Sequence, residues 1–228
     1  MKKQSSIIIP EGCRQVLLHA CCAPCSSAIV EWLLAHEIEP VIYYFNPNIY
    51  PQEEYEIRKN ESKRHAESLG IRWIDNDVQR TMDNGQWTRQ HEEWRAAVCG
   101  LENEPERGKR CERCFYVRLL ATARKAQELG IPFFATTLAS SRWKNLEQIN
   151  AAGIRAQNAL LTDRSADRVQ TDLPTPIFWA QNWRKDGLQE RRNALLKEYD
   201  FYNQLYCGCE FSMRPQVSDQ SFNASPAK

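Results

Sequence analysis

The sequence predicts an α/β domain: a mostly parallel sheet of about four strands with flanking helices, of the nucleotide-binding, HUP-like kind, plus a helical C-terminal part. Three observations predict it. Short β-branched and aromatic runs alternate with helical patterns in the order βαβαβ, which imposes parallel strands with right-handed crossovers. Turn residues punctuate the runs: Asn46-Pro47-Asn48 after one strand, Gly70 and Gly130 after helices. The 228 residues are 42% hydrophobic and 26% charged, enough for a core without covalent staples.

Residues 1–14 read as a flexible lead-in, 15–212 as one domain and 213–228 as a disordered tail rich in Ser and Pro. The first strand is Gln15 to about Ala20, around Val16-Leu17-Leu18. A helix follows at about 26–36, where Ala28, Ile29, Trp32 and Leu33 recur at helical spacing. Val41-Ile42-Tyr43-Tyr44-Phe45 is the second strand. A charged helix at about 52–69 ends at Gly70, and Ile71-Arg72-Trp73-Ile74 is the third strand. Trp87 to Val98 forms a helix, Gly100 to Arg110 a charged loop, and Cys111 to about Leu129 a strong helix. Residues 131–136 make the fourth strand, 137–145 its exit loop and 145–159 a helix. Residues 161–176 hold a loop or short strand, and a last helix spans about 187–199.

A formal charge of +1 gives no global argument for nucleic acid, so RNA binding needs a local basic patch. No apolar run approaches the roughly 18–20 residues of a membrane span. Ile7-Ile8-Ile9-Pro10 is too short for a signal peptide's apolar region, which points to the cytoplasm. In that reducing compartment nine cysteines mean metal or redox chemistry more often than structural disulfides.

Three cysteine motifs stand out. Cys21-Cys22-Ala23-Pro24-Cys25 lies in the turn after the first strand, beyond the carboxyl end of a sheet, where open α/β folds bind ligands. Adjacent cysteines have little use in a packed core, and a disulfide between them is strained. Cys111-Glu112-Arg113-Cys114 opens a helix, whose N-terminal field favours thiolate. Taken alone, that spacing serves zinc, an iron–sulfur cluster or a redox dithiol. Together with Cys21 and Cys22 it offers four thiolates of irregular spacing, which suits a [4Fe–4S] cube better than a zinc knuckle. Cys207-Gly208-Cys209 can close a small strained ring, the labile kind of disulfide. Cys25 is left for a second metal or as a thiol, and Cys13 and Cys99 read as bystanders.

Other candidates are weaker. His19 reads as a satisfied buried histidine, and His36, His65 and His91 as surface residues. Tyr43, Tyr44 and Tyr50 can stack on a base, but strand aromatics are more often core. Asp75 and Asp77 follow the third strand as candidate proton donors or ligands. Arg107, Lys109, Arg110, Arg113 and Arg118 crowd the Cys-x-x-Cys, Arg142 and Lys144 sit in the fourth strand's exit loop, and Arg184, Lys185, Arg191 and Arg192 follow. On one rim they would suit RNA, with Arg110, Arg113, Arg142 and Lys144 the candidate contacts; solvated helix faces are the competing reading.

The blocks Leu17 to Cys25, Gly100-Leu101-Glu102 to Phe115, Thr136-Thr137-Leu138 to Asn145 and Tyr206 to Ser212 together resemble the QueH family, the non-cobalamin epoxyqueuosine reductases. The resemblance runs from about Val16 to Ser212. It implies reduction of the epoxide of epoxyqueuosine, at the tRNA anticodon wobble position, to queuosine, with an external electron donor. It implies a [4Fe–4S] cluster on Cys21, Cys22, Cys111 and Cys114, and a redox-active disulfide Cys207–Cys209. It also implies a mononuclear iron beside the cluster, for which Cys25 is the candidate ligand. Two other classes compete. A PP-loop-type tRNA-modifying ATPase fits the strand order, but Cys-Cys-Ala-Pro-Cys stands where Ser-Gly-Gly-x-Asp-Ser is needed. A zinc-stabilised RNA-binding module fits the cysteines if zinc replaces iron.

Overall fold

The computed structural model describes residues 6–75, 89–166 and 174–213. Strands β1 (Gln15–His19), β2 (Glu39–Tyr44), β3 (Trp73–Asp75), β4 (Phe133–Thr136) and β5 (Ile177–Phe178) form one sheet in the order β3-β2-β1-β4-β5. Every pairing is parallel, with Leu17 opposite both Val41 and Phe134. The helices are α1 (Ala23–Ala35), α2 (Gln52–Ser68), α3 (Arg89–Ala97), α4 (Lys109–Glu128), α5 (Leu146–Ala166) and α6 (Leu188–Glu198). Helix α1 packs against α6 and α4 against α5.

Strand β1 is central, and Val16, Leu17 and Leu18 are fully buried. A strand covered on both faces reads as a continuous apolar run, as this one does. Cys21 and Cys22 lie at its carboxyl end, between the exits of β2 and β4, where the strand order reverses. Pro24 falls in the first turn of α1, where its missing N–H costs nothing, so the helix begins at Ala23, earlier than its apolar spacing predicts.

The sheet has five strands rather than about four. Ile177–Phe178 is too short to show alternation in sequence, but pairs with Phe133 and Phe134. Helix α5 runs on to Ala166, through the start of the segment expected to be a loop. Gly153 on α5 meets that edge strand: a Cβ there would lie 2.3 Å from the Phe178 ring. His65 and His91, expected at the surface, are buried on the inner faces of α2 and α3. The start of the expected helix at Trp87, Asp77 and the tail beyond Met213 lie outside the described residues. Ser6 binds Asp186 through its backbone N–H (2.8 Å) and hydroxyl (2.9 Å), and Ile7 and Cys13 are buried. No described helix is long and apolar enough to cross a membrane.

Candidate functional site

The β1 turn is clamped from both neighbouring strands. From the β2 exit, Asn46 Nδ2 donates to Ala20 O at 2.9 Å. From the β4 exit, the Thr137 hydroxyl accepts from Cys21 N–H (3.2 Å) and donates to Cys21 Sγ (3.5 Å). His19, fully buried below, places Nδ1 2.8 Å from Thr136 Oγ1 and Nε2 3.2 Å from Phe45 O. Burial and the Arg118 cation hold its pKa down at about 3, so the ring is neutral.

This clamping gathers Cys21, Cys22 and Cys25 with their sulfurs all within 4.8 Å of one another, all buried. The Cys21–Cys22 sulfur separation is 3.8 Å. A tetrahedral ion with bonds of about 2.3 Å to sulfur separates its ligands by roughly 3.8 Å, so three soft donors here fit a metal. Cys21 is held well below an ordinary thiol by hydrogen bonds with Cys22 and Cys25, against burial, with Lys144 and Arg118 adding their fields. Cys22 is pushed well up by burial and by those same bonds.

Cys111 and Cys114 occupy the first two turns of α4, and Arg107 N–H donates to Cys111 Sγ at 3.3 Å. Burial pushes both thiols up, Cys111 to about 11, so it outweighs the helix N-terminal field expected to favour thiolate. Cys114 packs with Cys209 around Trp94 and Val98, with Cys207 and Phe211 at the edge of that cluster. The Cys-x-x-Cys therefore meets the Cys-Gly-Cys directly.

The Cys207-Gly208-Cys209 loop lies over the β2 exit. Ile49 and Cys209 form an antiparallel bridge, and Tyr50 N–H donates to Gly208 O at 2.8 Å. Gly208 has φ +97°, and a Cβ would lie 2.8 Å from Ile49 Cγ1, so only glycine fits. Both flanking cysteines are free thiols. A hydrogen bond with Cys209 lowers the Cys207 pKa to about 5 against burial, with help from Lys144, while Cys209 is pushed far up.

Two cations tie the groups together. Arg118, buried on α4, donates to Asn46 Oδ1 at 2.5 Å and acts on both Cys21 and Cys114. Lys144 acts on Cys21, Cys25 and Cys207. The seven cysteines thus form two groups, Cys21 with Cys22 and Cys25, and Cys111 and Cys114 with Cys207 and Cys209, with these two cations acting on both. Cys13 is buried before β1, at the opposite end of the sheet, and Cys99 is exposed beyond α3.

The basic rim is smaller than expected. Arg110 turns inward: it is buried, and its Nη1 donates to Glu102 O and Glu104 O, both at 2.6 Å. Its cation serves the loop before α4 and does not face solvent. Arg118 is likewise inward. Arg113 and Arg142 are exposed and Lys144 half-buried. Trp143, which motif reading passed over, is 66% exposed, with the Arg142 guanidinium 4.8 Å from its ring centroid. Tyr43 and Tyr44 are core, and Asp75 pairs with Lys59 at 2.5 Å. Arg58 and Gln204 were missed, and Arg118 was expected on the basic rim. The two arginines carried a signal: each falls at helical spacing among buried residues, Arg118 between Cys114 and Thr122 on α4 and Arg58 between Glu54 and Ser62 on α2.

The profile of the family described as "Epoxyqueuosine reductase QueH" matches residues 16–215. The Epoxyqueuosine reductase QueH of Haemophilus influenzae is 42% identical over 206 residues, covering 90% of this chain and 74% of that protein. That of Acinetobacter baylyi is 40% identical over 213 residues, covering 93% and 87%. Among solved structures, the U34-tRNA thiolase NcsA of Methanococcus maripaludis with its [4Fe-4S] cluster overlaps with a TM-score of 0.47 at 12% identity, covering 90% of this chain and 63% of that one.

Proposed function

The chain belongs to the epoxyqueuosine reductase QueH family, and from that membership we propose how its cysteines perform the reaction. It is an oxidoreductase that reduces the epoxide of epoxyqueuosine in tRNA to queuosine. The observation that carries the mechanism is the convergence of three cysteine motifs, from β1, α4 and the C-terminal segment, on one end of the sheet.

Cys21, Cys22, Cys111 and Cys114 are the residues we assign to hold a [4Fe–4S] cluster. The soft sulfur donors and the Arg118 and Lys144 cations around them suit such an anionic group. The tight spacing of Cys21, Cys22 and Cys25 favours a second reading beside the first, in which Cys25 helps hold a mononuclear iron. When bound, a cluster supplies electrons one at a time, and a lone iron supplies a Lewis acid for an epoxide oxygen.

The chain's own couple is Cys207 and Cys209. Removing an epoxide oxygen as water takes two electrons and two protons and leaves the alkene. A thiolate and a thiol that close to a disulfide release two electrons and one proton, and solvent supplies the second proton, so the atoms balance. Cys207, the lower-pKa sulfur, is the nucleophilic member, and Cys209 retains its proton. An external donor then returns two electrons to the disulfide. Arg113, Arg142, Lys144 and Trp143 form the rim we assign to the anticodon loop, with cations for phosphate and an open ring for an unpaired base. We place the protein in the cytoplasm, with its tRNA.

Anaerobically iron-loaded protein, given reductant and epoxyqueuosine-tRNA, should yield queuosine in a nucleoside digest. Unchanged tRNA with a fully loaded preparation overturns the reading. Zinc at one equivalent without iron would favour the RNA-binding module instead.

A further inference from the structure

The Cys207-Gly208-Cys209 loop rests on one buried arginine. Arg58, on α2, is 2% exposed. Its Nη1 donates to Cys207 O at 3.3 Å and its Nη2 to Tyr206 O at 3.1 Å. The opposite edge of the guanidinium binds Glu54 Oε1, through Nε at 2.7 Å and Nη2 at 2.5 Å. Glu54 is also buried, and its second oxygen accepts from the Tyr202 hydroxyl at 2.6 Å. Arg58 Nη1 would lie 3.1 Å from a Cβ at Gly208, so loop and guanidinium are in close register. The same cation faces the β1 turn: burial lowers its pKa, but the fields of Cys22 and Cys21 and the bond to Glu54 raise it overall.

An i, i+4 ion pair buried this deeply costs desolvation that its mutual attraction alone need not repay. Its two loop carbonyls give the pair a purpose. We propose that Arg58, fixed by Glu54, is a positioning residue of the reductase: its forked donors hold the Cys207-Gly208-Cys209 backbone so that the two sulfurs meet as one two-electron couple beside the Cys21–Cys22 turn. The proposal rests on the reading of Cys207 and Cys209 as that couple. The step it governs is Cys207–S–S–Cys209 plus two electrons and two protons giving two thiols, with the electrons from the external donor. Ring closure depends on how well the backbone presents one sulfur to the other, as any intramolecular reaction does. Loosening the loop therefore disfavours the disulfide and raises the midpoint potential.

Arg58→Lys keeps the charge and loses the planar fork. The full-length, iron-loaded protein is equilibrated anaerobically with glutathione buffers and alkylated, and the 207–209 peptide is quantified by mass spectrometry. The disulfide-forming equilibrium constant should fall about tenfold, equivalent to a rise of about 30 mV. Iron content should be unchanged, and kcat on epoxyqueuosine-tRNA should fall at least about tenfold while KM moves less than about twofold. A constant and a kcat matching wild type overturn the proposal. If Arg58→Lys does not fold, Glu54→Ala, which removes the carboxylate that anchors the guanidinium, must shift the constant in the same direction; an unshifted constant there overturns it. A wild-type protein that forms no Cys207–Cys209 disulfide at any glutathione ratio overturns the redox reading itself, and this proposal with it.

Discussion

Gln204 aims its side-chain amide at Cys22 Sγ, 3.1 Å away across 182 residues of sequence, and reaches Cys25 Sγ at 3.7 Å. The C-terminal segment thus brings the Cys-Gly-Cys loop to the site and also covers the β1 turn with a donor. Donors to ligand sulfurs stabilise charge on them, and removing such outer partners typically costs 10–100-fold in metal affinity or activity. Gln204→Leu should keep the fold and lose iron to a chelator about tenfold faster. Chelation followed by absorbance decides it; loss at the wild-type rate would remove Gln204 from the site.

The two kinds of cysteine should separate cleanly. Cys22→Ala removes a buried sulfur from the triad and should abolish the iron–sulfur absorbance, and Cys114→Ala should do the same from the α4 side. Cys207→Ser should keep that absorbance and lose turnover. Cys25→Ala should keep the cluster spectrum and reduce total iron by about one equivalent, as the second reading requires. Metal analysis with absorbance spectra tests all four, and an unaltered spectrum in Cys22→Ala would sink the ligand assignment.

The Cys207 thiol should titrate far below an ordinary thiol. Its pKa is lowered to about 5 by the hydrogen bond with Cys209, helped by Lys144. A lowered thiol pKa means that the reactive thiolate persists on acidification and is lost only as pH falls through about 5. In the reduced protein, alkylation of Cys207 should therefore change little between pH 8 and 6, a range over which a free thiol slows about a hundredfold. Cys209→Ala should move the midpoint upward, because it removes the thiol donor beside Cys207. An ordinary alkaline profile in the reduced wild type would refute the assignment of Cys207 as the nucleophilic sulfur.

The elements that carry a repeated signal were legible before the structure. Strand β1 and the helices α1, α2, α4 and α6 fall within a few residues of their expected ranges, because apolar spacing and glycine stops act locally. Strand β5 was not legible, since two residues carry no period and the pairing partner is Phe133–Phe134, far away in sequence. The cysteines were legible as motifs, because thiol chemistry restricts the residue type. The roles of Arg58, Arg118 and Gln204 were not read: helical spacing marks the two arginines as inward, but Arg and Gln are ordinary surface residues until tertiary packing buries or aims them. Arg110 shows the converse error: in a basic run it reads as a nucleic-acid contact, yet two loop carbonyls 2.6 Å from its Nη1 have turned it inward.

Gly153 sets two magnitudes against each other. In a helix interior, Gly→Ala usually gains about 1 kcal/mol from backbone entropy and propensity. Here the added methyl would lie 2.3–2.5 Å from three atoms of the Phe178 ring. That ring is buried and packs on Phe134 at a centroid separation of 5.2 Å, so it has no open side to swing into. Overpacking of this kind costs about 1–3 kcal/mol, and the upper part of that range outweighs the propensity gain. The net cost of about 1–2 kcal/mol means that Gly153→Ala should lower the melting temperature by roughly 2–8 °C, at about 2–4 °C per kcal/mol for a chain of this length. Thermal unfolding of wild type and variant, matched in iron content, measures it. A melting temperature equal to or above wild type would mean that β5 yields to α5, and that the sheet's fifth strand is held less firmly than its contact with Gly153 implies.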